Sequence, residues 1–379
     1  MRVLHAISEI DPRFGGTATA VTALARAQQR AGLDVSVFST FYEAPAPAVA
    51  GLLQSEGIAV TEVGPYPSRL RITPDLIRAL RPQIAAADVV HVHALWVPVQ
   101  HAAARLAHDA GKPYVVTPHG MLDPWSLNQS KWKKKIYLAW RGRRDLNEAS
   151  AVHYTADAER DLAKPVGLTA RTIVEPNIVD LSDFDPLPPR GAFRARHAQL
   201  GDKPIVLFLG RLHHKKGLEL LIPAFAQAKL DDAFLVIAGP DPDNYSPLLR
   251  DLAARENVGD RVLFTGMLRG RDRVEAFVDA DLFALPSYQE NFGIAVVESL
   301  AAGCPVLLSD QVNIYREIVA GGVGSAVPTQ VDPLARELKR WMTDGSARRT
   351  ASSIAPTFVR ERYDAAAVAK RWVHTYTTL

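Results

Sequence analysis

The chain has 379 residues, 47% of them hydrophobic and 22% charged, the balance of a soluble globular protein long enough for two cores rather than one. Its formal net charge of +3 selects no partner by itself, and no low-complexity tract points to disorder. A single cysteine, Cys304, excludes an internal disulfide and fits a reducing compartment. Its neighbours Ala301, Ala302, Pro305 and Val306 suit a buried small hydrophobe rather than a reactive thiol. No run approaches the ~20 apolar residues that span a bilayer, and the opening Val3–Ile7 stretch is too short for a signal peptide and is followed by Glu9 and Asp11. The expected location is the cytoplasm, with the inner face of the cell membrane as a peripheral alternative.

Val3–Ile7 is a short apolar run with the character of a buried parallel strand, followed by a turn at Pro12, Gly15 and Gly16. An amphipathic pattern from about Thr19 to Gln29, stopped by Gly32, predicts a helix, and Val35–Phe38 the next strand. Strand, helix and strand in this order make a βαβ unit. Further strands are expected at Val89–Val92, Tyr114–Thr117, His153–Tyr154 and Thr172–Val174. From Asp180 to Pro189 turn formers and prolines dominate, and the stretch is expected to be a linker.

The alternation then restarts, with strands at Ile205–Leu209, Phe234–Ala238, Val262–Phe264, Leu282–Leu285 and Val306–Leu308 and a helix over Gly217–Ala228. These runs are apolar throughout, as in sheets covered on both faces. The final helix, about Asp364 to Tyr376, gathers Val368, Trp372, Val373 and Tyr376 on one face that needs a docking surface. The expected fold is α/β, with two doubly wound Rossmann-like domains facing across a cleft. They cover residues 1–185 and 186–360, with the helix at 361–379 packing back on the first. Ligands of such sheets sit beyond the carboxyl ends of the strands.

Two loops there carry chemistry. Gly210-Arg-Leu-His-His-Lys-Lys-Gly217 follows a strand and opens a helix, so backbone amides and the charges of Arg211 and Lys216 suit a diphosphate. It lacks the spacing and the ending of a Walker loop, and a basic turn on a solvated face is the alternative. In the second, Ser287–Glu298, Glu290 lies in the loop and Gly293 starts a helix running to about Ala302. Free amides near Phe292–Ile294 would face a ligand. Glu290 suits sugar hydroxyls, and Glu298, about two turns into the helix, a vicinal diol such as a ribose.

Glu290 and Glu298 resemble the Glu-x7-Glu motif of family 4 glycosyltransferases, of the GT-B fold class. The Gly210–Gly217 loop, Asn177-Ile178-Val179-Asp180, Phe14-Gly15-Gly16 and Thr117-Pro118-His119-Gly120 fit that family in the expected order over essentially the whole chain. The resemblance implies a retaining hexosyltransferase using a nucleotide diphosphate sugar. Arg211 and Lys216 would hold the diphosphate and neutralise the leaving group. Glu290, Asn291 and the amides of Phe292, Gly293 and Ile294 would hold the sugar, Glu298 the ribose, and Met267 would lie by the base. Gly15 and Gly16 would let the N-terminal backbone reach the phosphates. His119 would face the transferred sugar, as a contact rather than a general base. No cofactor is implied and no metal: Asp241-Pro-Asp243 resembles the metal motif of the other large glycosyltransferase fold, but here a turn is expected.

Acceptor recognition falls to the first domain, where His93 and Trp96 either line the acceptor side or pack in the core. Lys131–Arg144 has seven Lys/Arg in fourteen positions and no acid, with Trp132, Ile136, Tyr137 and Trp140 at helical spacing. Either the aromatic face packs inward, or the helix meets an anionic membrane surface or a phosphate-bearing lipid acceptor. Nucleic acid is not expected as a partner. The rival functions are a nucleotide-sugar epimerase, disfavoured by the motif order, and a non-catalytic sugar-nucleotide binder, disfavoured by the joint presence of Glu290, Glu298, Arg211 and Lys216.

Overall fold

In β1 (Arg2–Ile7) every residue after Arg2 is buried, which requires helices on both faces and a strand on either side. The computed structural model, describing residues 1–14, 16–66 and 72–379, divides into two units. Unit 1 is Met1–Val179 with Tyr363–Leu379, and unit 2 is Asp180–Arg362. The boundary thus falls at the start of the expected linker rather than at 185/186. Phe184 is 4% exposed and packs against Phe277, and Asp183 pairs with Arg273 at 3.1 Å, so the Asp180–Pro189 stretch is anchored in unit 2.

Unit 1 adds β2 (Asp34–Thr40), β3 (Ala59–Val63), β4 (Val89–His93), β5 (Tyr114–Thr117), β6 (Ala151–Tyr154) and β7 (Thr172–Val174). The strand order is β3-β2-β1-β4-β5-β6-β7, all parallel. Alternation along the strands sorts side chains between two cores. Leu4, Ala6, Val90, Val92, Val116 and Val152 fill one, while Val3, Ile7, Val35, Val37, Val89 and Val115 fill the other. The second is closed by helices Gly16–Arg30 and Ala365–Thr377. Asp364 caps the latter by accepting from Ala366 N and Ala367 N at 3.0 and 3.1 Å. Its Val368, Trp372 and Tyr376 are buried in the second core, the docking that their spacing predicts.

Unit 2 repeats the plan with β8 (Ile205–Leu209), β9 (Phe234–Ala238), β10 (Val262–Gly266), β11 (Leu282–Leu285), β12 (Val306–Ser309) and β13 (Gly324–Val327). Its order is β10-β9-β8-β11-β12-β13. Cys304 is 2% exposed in this core, and burial pushes its thiol up to about 12. The strands absent from the sequence reading, β3 and β13, each lie at one edge of their sheet, half-buried and without a continuous apolar run.

Candidate functional site

In both sheets the order reverses beside the first strand, between β1 and β4 and between β8 and β11. Loops leaving the two strands there diverge and open a crevice. In unit 2 these are the expected loops, 210–217 and 286–293, and backbone contacts sew them together. Tyr288 N donates to Lys215 O at 2.9 Å. Gly217, at φ +69°, sits so close to Pro286 that a Cβ would lie 2.2 Å from its carbonyl oxygen. Gly239 after β9 is equally constrained, with a Cβ position 1.8 Å from Gly210 O. Its own N–H donates to Gly266 O at the end of β10 at 2.8 Å.

Into this crevice edge Lys216 Nζ and Glu290 Oε2 form a direct ion pair, with side chains 22% and 18% exposed. The Glu290 backbone is fixed by donating to Gln311 O and accepting from Asn313 N, each at 3.0 Å. Asn313 also donates to the Asn291 side chain at 3.2 Å. Gly293 caps the helix Ile294–Ala301, and Phe292, 3% exposed, anchors the turn. The first amides of that helix have no intrahelical acceptor. Glu298 lies inside it, 6% exposed, and pairs with Arg273 at 3.0 Å. Burial raises its pKa against the opposing pull of Arg273. Arg211 is exposed, and Met267 is 52% exposed beyond β10. Asp241 caps the helix Ser246–Arg255, accepting from Tyr245 N at 2.6 Å and Ser246 N at 2.9 Å, a turn role as its sequence context indicates.

Gly15 lies outside the described residues, and Gly16 is the first residue of its helix. Beyond the carboxyl ends of β4 and β5 in unit 1 three non-glycine residues have positive φ: Ala94 (+67°), Trp96 (+79°) and His119 (+51°). Such strain persists only where surroundings enforce it. For the His119 turn the enforcing group is Glu159, 2% exposed. Its carboxylate accepts from Gly120 N at 2.5 Å, Thr155 N at 2.6 Å and Thr155 Oγ1 at 2.8 Å. Beside Ala94 and Trp96 a cavity of about 320 Å³ opens, lined also by Ser8, Glu9, Thr17, Tyr42 and Met121.

His93, expected on the acceptor side or in the core, is 1% exposed and belongs to the core. It joins a hydrogen-bonded line that the sequence reading did not assemble. His119 Nε2 meets His93 Nδ1 at 3.2 Å, and His93 Nε2 meets His5 Nδ1 at 2.8 Å. His5 Nε2 reaches Gln28 Oε1 at 2.8 Å, and Gln28 Nε2 reaches Tyr376 Oη at 3.1 Å. Tyr376 touches His91 Nδ1 at 2.6 Å, and His91 Nε2 touches Thr117 Oγ1 at 2.7 Å. Thr117 meets His153 Nδ1 at 2.8 Å, and His153 Nε2 the carbonyl of Glu175 at 2.8 Å. Burial lowers the pKa of His5 and His153 to about 4 and of His119 to about 3, with His91 and His93 also well below 6.5. Burial thus favours the neutral ring at all five. Nitrogens of His5, His91 and His93 are close enough together to surround an ion, yet each of those nitrogens already has a hydrogen-bond partner. The signal in the sequence was histidine at alternate positions of strands otherwise apolar on that face.

The basic stretch is a helix over Lys131–Tyr137, a π turn over Leu138–Gly142 and a helix over Arg143–Asn147. Its apolar stripe is split. Tyr137 packs edge-on against Trp96 and Leu138 is buried, whereas Trp132, Ile136 and Trp140 are 72%, 64% and 71% exposed. Lys135 and Arg141 lie over the two exposed indoles. An aromatic face packed wholly inward is therefore not what forms. Among the described residues no helix is long and apolar enough to cross a membrane.

Residues 14–183 match the family description Glycosyltransferase Family 4, and residues 189–357 match Glycosyl transferases group 1. The GDP-mannose:cellobiosyl-diphosphopolyprenol alpha-mannosyltransferase of Xanthomonas campestris is 28% identical, over 99% of this chain and 96% of the relative. The D-inositol 3-phosphate glycosyltransferase of Kineococcus radiotolerans is 26% identical over 89% and 84%. Among solved structures, Anabaena HepE in complex with UDP and glucose superposes with a TM-score of 0.79 at 21% identity, covering 100% of both chains. The chain belongs to this glycosyltransferase family, and it is a GT-B enzyme that transfers a sugar from a nucleotide-sugar donor.

Proposed function

We propose that the enzyme moves a hexose, with retention of anomeric configuration, from a nucleotide diphosphate sugar to a glycan or lipid-linked glycan acceptor in surface polysaccharide or glycolipid synthesis. The observation that carries the donor half is the Lys216–Glu290 pair at the β8/β11 crevice. The donor diphosphate takes the ammonium, with Arg211 beside it, and the freed carboxylate accepts from sugar hydroxyls. Amides of Phe292, Gly293 and Ile294 complete the sugar and phosphate contacts, Glu298 holds the ribose, and Met267 lies by the base. Charge on the departing phosphate is then neutralised by fixed cations, and that phosphate takes the acceptor's proton, so that neither a metal nor a protein base is required. His119 contacts the transferred sugar.

The test is a thermal-shift series with UDP-, GDP- and ADP-sugars, since a bound donor raises apparent stability, followed by transfer assays on the donor that binds. Glu290→Ala is expected to abolish transfer with the fold intact, and near-normal turnover would remove it from the sugar site. Epimer formation from labelled donor without acceptor would sink the transferase reading of this chain. An inverted anomeric product, read by NMR, would sink retention.

The exposed Trp132, Ile136 and Trp140 among seven cations support a peripheral seat on an anionic membrane, where a lipid-linked acceptor resides. The Xanthomonas relative's name specifies a diphosphopolyprenol-linked acceptor, which supports the same class here. Replacing Lys133, Lys134 and Lys135 by Ser is expected to release the protein from anionic vesicles, and unchanged partitioning would refute the seat.

A further inference from the structure

The line from His119 to Glu175 has a direction. A backbone carbonyl only accepts, so His153 must carry its proton on Nε2 and present the lone pair of Nδ1. Thr117 therefore donates to His153 and accepts from His91 Nε2–H. That leaves His91 Nδ1 as an acceptor, so Tyr376 donates to it and must accept from the Gln28 amide nitrogen. The Gln28 oxygen then faces His5 and accepts from its Nε2–H. By the same step His93 donates from Nε2 to His5 Nδ1, and His119 donates from Nε2 to His93 Nδ1. One assignment satisfies every member, and every bond in it points the same way. Only His119 Nδ1 is left over, at the one ring of the five that is not fully buried.

We infer that this line sets the tautomer of His119, so that the lone pair of its Nδ1 accepts a hydrogen bond from a substrate hydroxyl, and that Tyr376 locks the setting from the C-terminal helix. The lock is specific. Gln28 is the one member that reverses by turning over its amide, which would reverse His5, His93 and His119 in concert and turn the outer Nδ1 into a donor. Tyr376 forbids this, because its own proton is committed to His91. Thr117, His153, Gln28 and Tyr376 touch no substrate and act only through the imidazole they orient, so they are positioning residues. The line also ends on a carbonyl that cannot take a proton, which makes it an orienting device and not a relay.

The substrate half rests on the proposed contact between His119 and the transferred sugar, and the test separates the two. Long-range proton–nitrogen correlation spectra of the full chain, labelled at the histidine ring nitrogens, read the tautomers directly. All five are expected as Nε2–H in the free enzyme, and Nδ1–H at His119 would overturn the inference. In Tyr376→Phe, and in the isosteric Thr117→Val should the first variant fold poorly, His119 is expected to lose its single tautomer. An unchanged spectrum would overturn the lock. Donors carrying fluorine or hydrogen in place of each sugar hydroxyl then probe the contact. At one position both are expected to cut kcat/KM by the same factor, about tenfold, because fluorine cannot donate. If every fluorinated donor matches its parent while the tautomers are as described, the proposed sugar contact of His119 fails and the orienting line stands.

Discussion

Acidification tests the buried histidine line through stability. In the unfolded chain each ring titrates near 6.5, whereas in the fold His5 and His153 titrate at about 4 and His119 at about 3, because burial disfavours the charged ring. Below 6.5 the unfolded state binds protons that the folded state refuses. The stabilisation is thus complete above that value and drains as pH falls toward the folded pKa values. Between about pH 8 and pH 5, each of these three rings withdraws roughly 2 kcal/mol, about 6 kcal/mol together. A domain's whole stability is about 5–15 kcal/mol, so unit 1 is expected to be close to unfolding near the lower pH. Unit 2 is the internal control, since its shifted histidines, His197 and His213, are partly exposed. The assay is urea unfolding at each pH, read by hydrogen-exchange protection of peptides from β1 and β4 against peptides from β8 and β11. A unit 1 that keeps its stability across this range, or two units that lose it in parallel, would refute the reasoning.

Two substitutions probe the remaining architecture. Gly217→Ala is expected to weaken donor binding and lower the melting temperature of unit 2, because its Cβ would meet Pro286 O at 2.2 Å in a left-handed conformation; donor affinity and melting temperature equal to the parent's would refute that. Trp372→Ala empties a site between the rings of His91 and His153, and is expected to cost unit 1 about 3–5 kcal/mol in urea unfolding. A loss below about 1 kcal/mol would mean that the C-terminal helix is not an integral part of that core.

The fold and the two loops at the β8/β11 edge were legible because their signals are local. A strand such as Ile205–Leu209 declares itself by an unbroken apolar run, and Gly210–Gly217 by its place immediately after one. The same locality explains what was missed. Strand β3 reads Ala-Val-Thr-Glu-Val, the mixture proper to a half-covered edge, and nothing within five residues says which sheet it joins. The histidine line joins residues that the parallel register sets side by side: His5 pairs with His91, and His93 with Thr117. Tyr376 enters it from 285 residues away from His91. Its spacing with Val368 and Trp372 revealed an apolar face but gave no hint that a hydroxyl at the end of that face would be spoken for. For the same reason the sequence left His93 open between the acceptor side and the core, and its 1% exposure is what the structure adds.

The two units treat polar groups at a sheet edge in opposite ways, and the difference bears on what each contributes. Unit 2 keeps charges and pairs them, Lys216 with Glu290 and Arg273 with Glu298. A buried charge is costly unless compensated, and on the proposed function a donor's diphosphate and hydroxyls would compensate both members of the first pair on displacing their mutual bond. Such an exchange confers affinity and is expected to be sensitive to salt. The His119–Glu175 line of unit 1 keeps neutral groups and orders their protons. The line itself offers no charge to exchange with a ligand, and on the inference above it sets which atom of a substrate is donor and which acceptor. The sharp penalty for a mismatched buried hydrogen bond makes that arrangement a source of selectivity. Substitutions along the Lys216–Glu290 edge are accordingly expected to move donor affinity and its salt dependence. Substitutions along the His119–Glu175 line are expected to change the preference among sugars while leaving the salt dependence where it was.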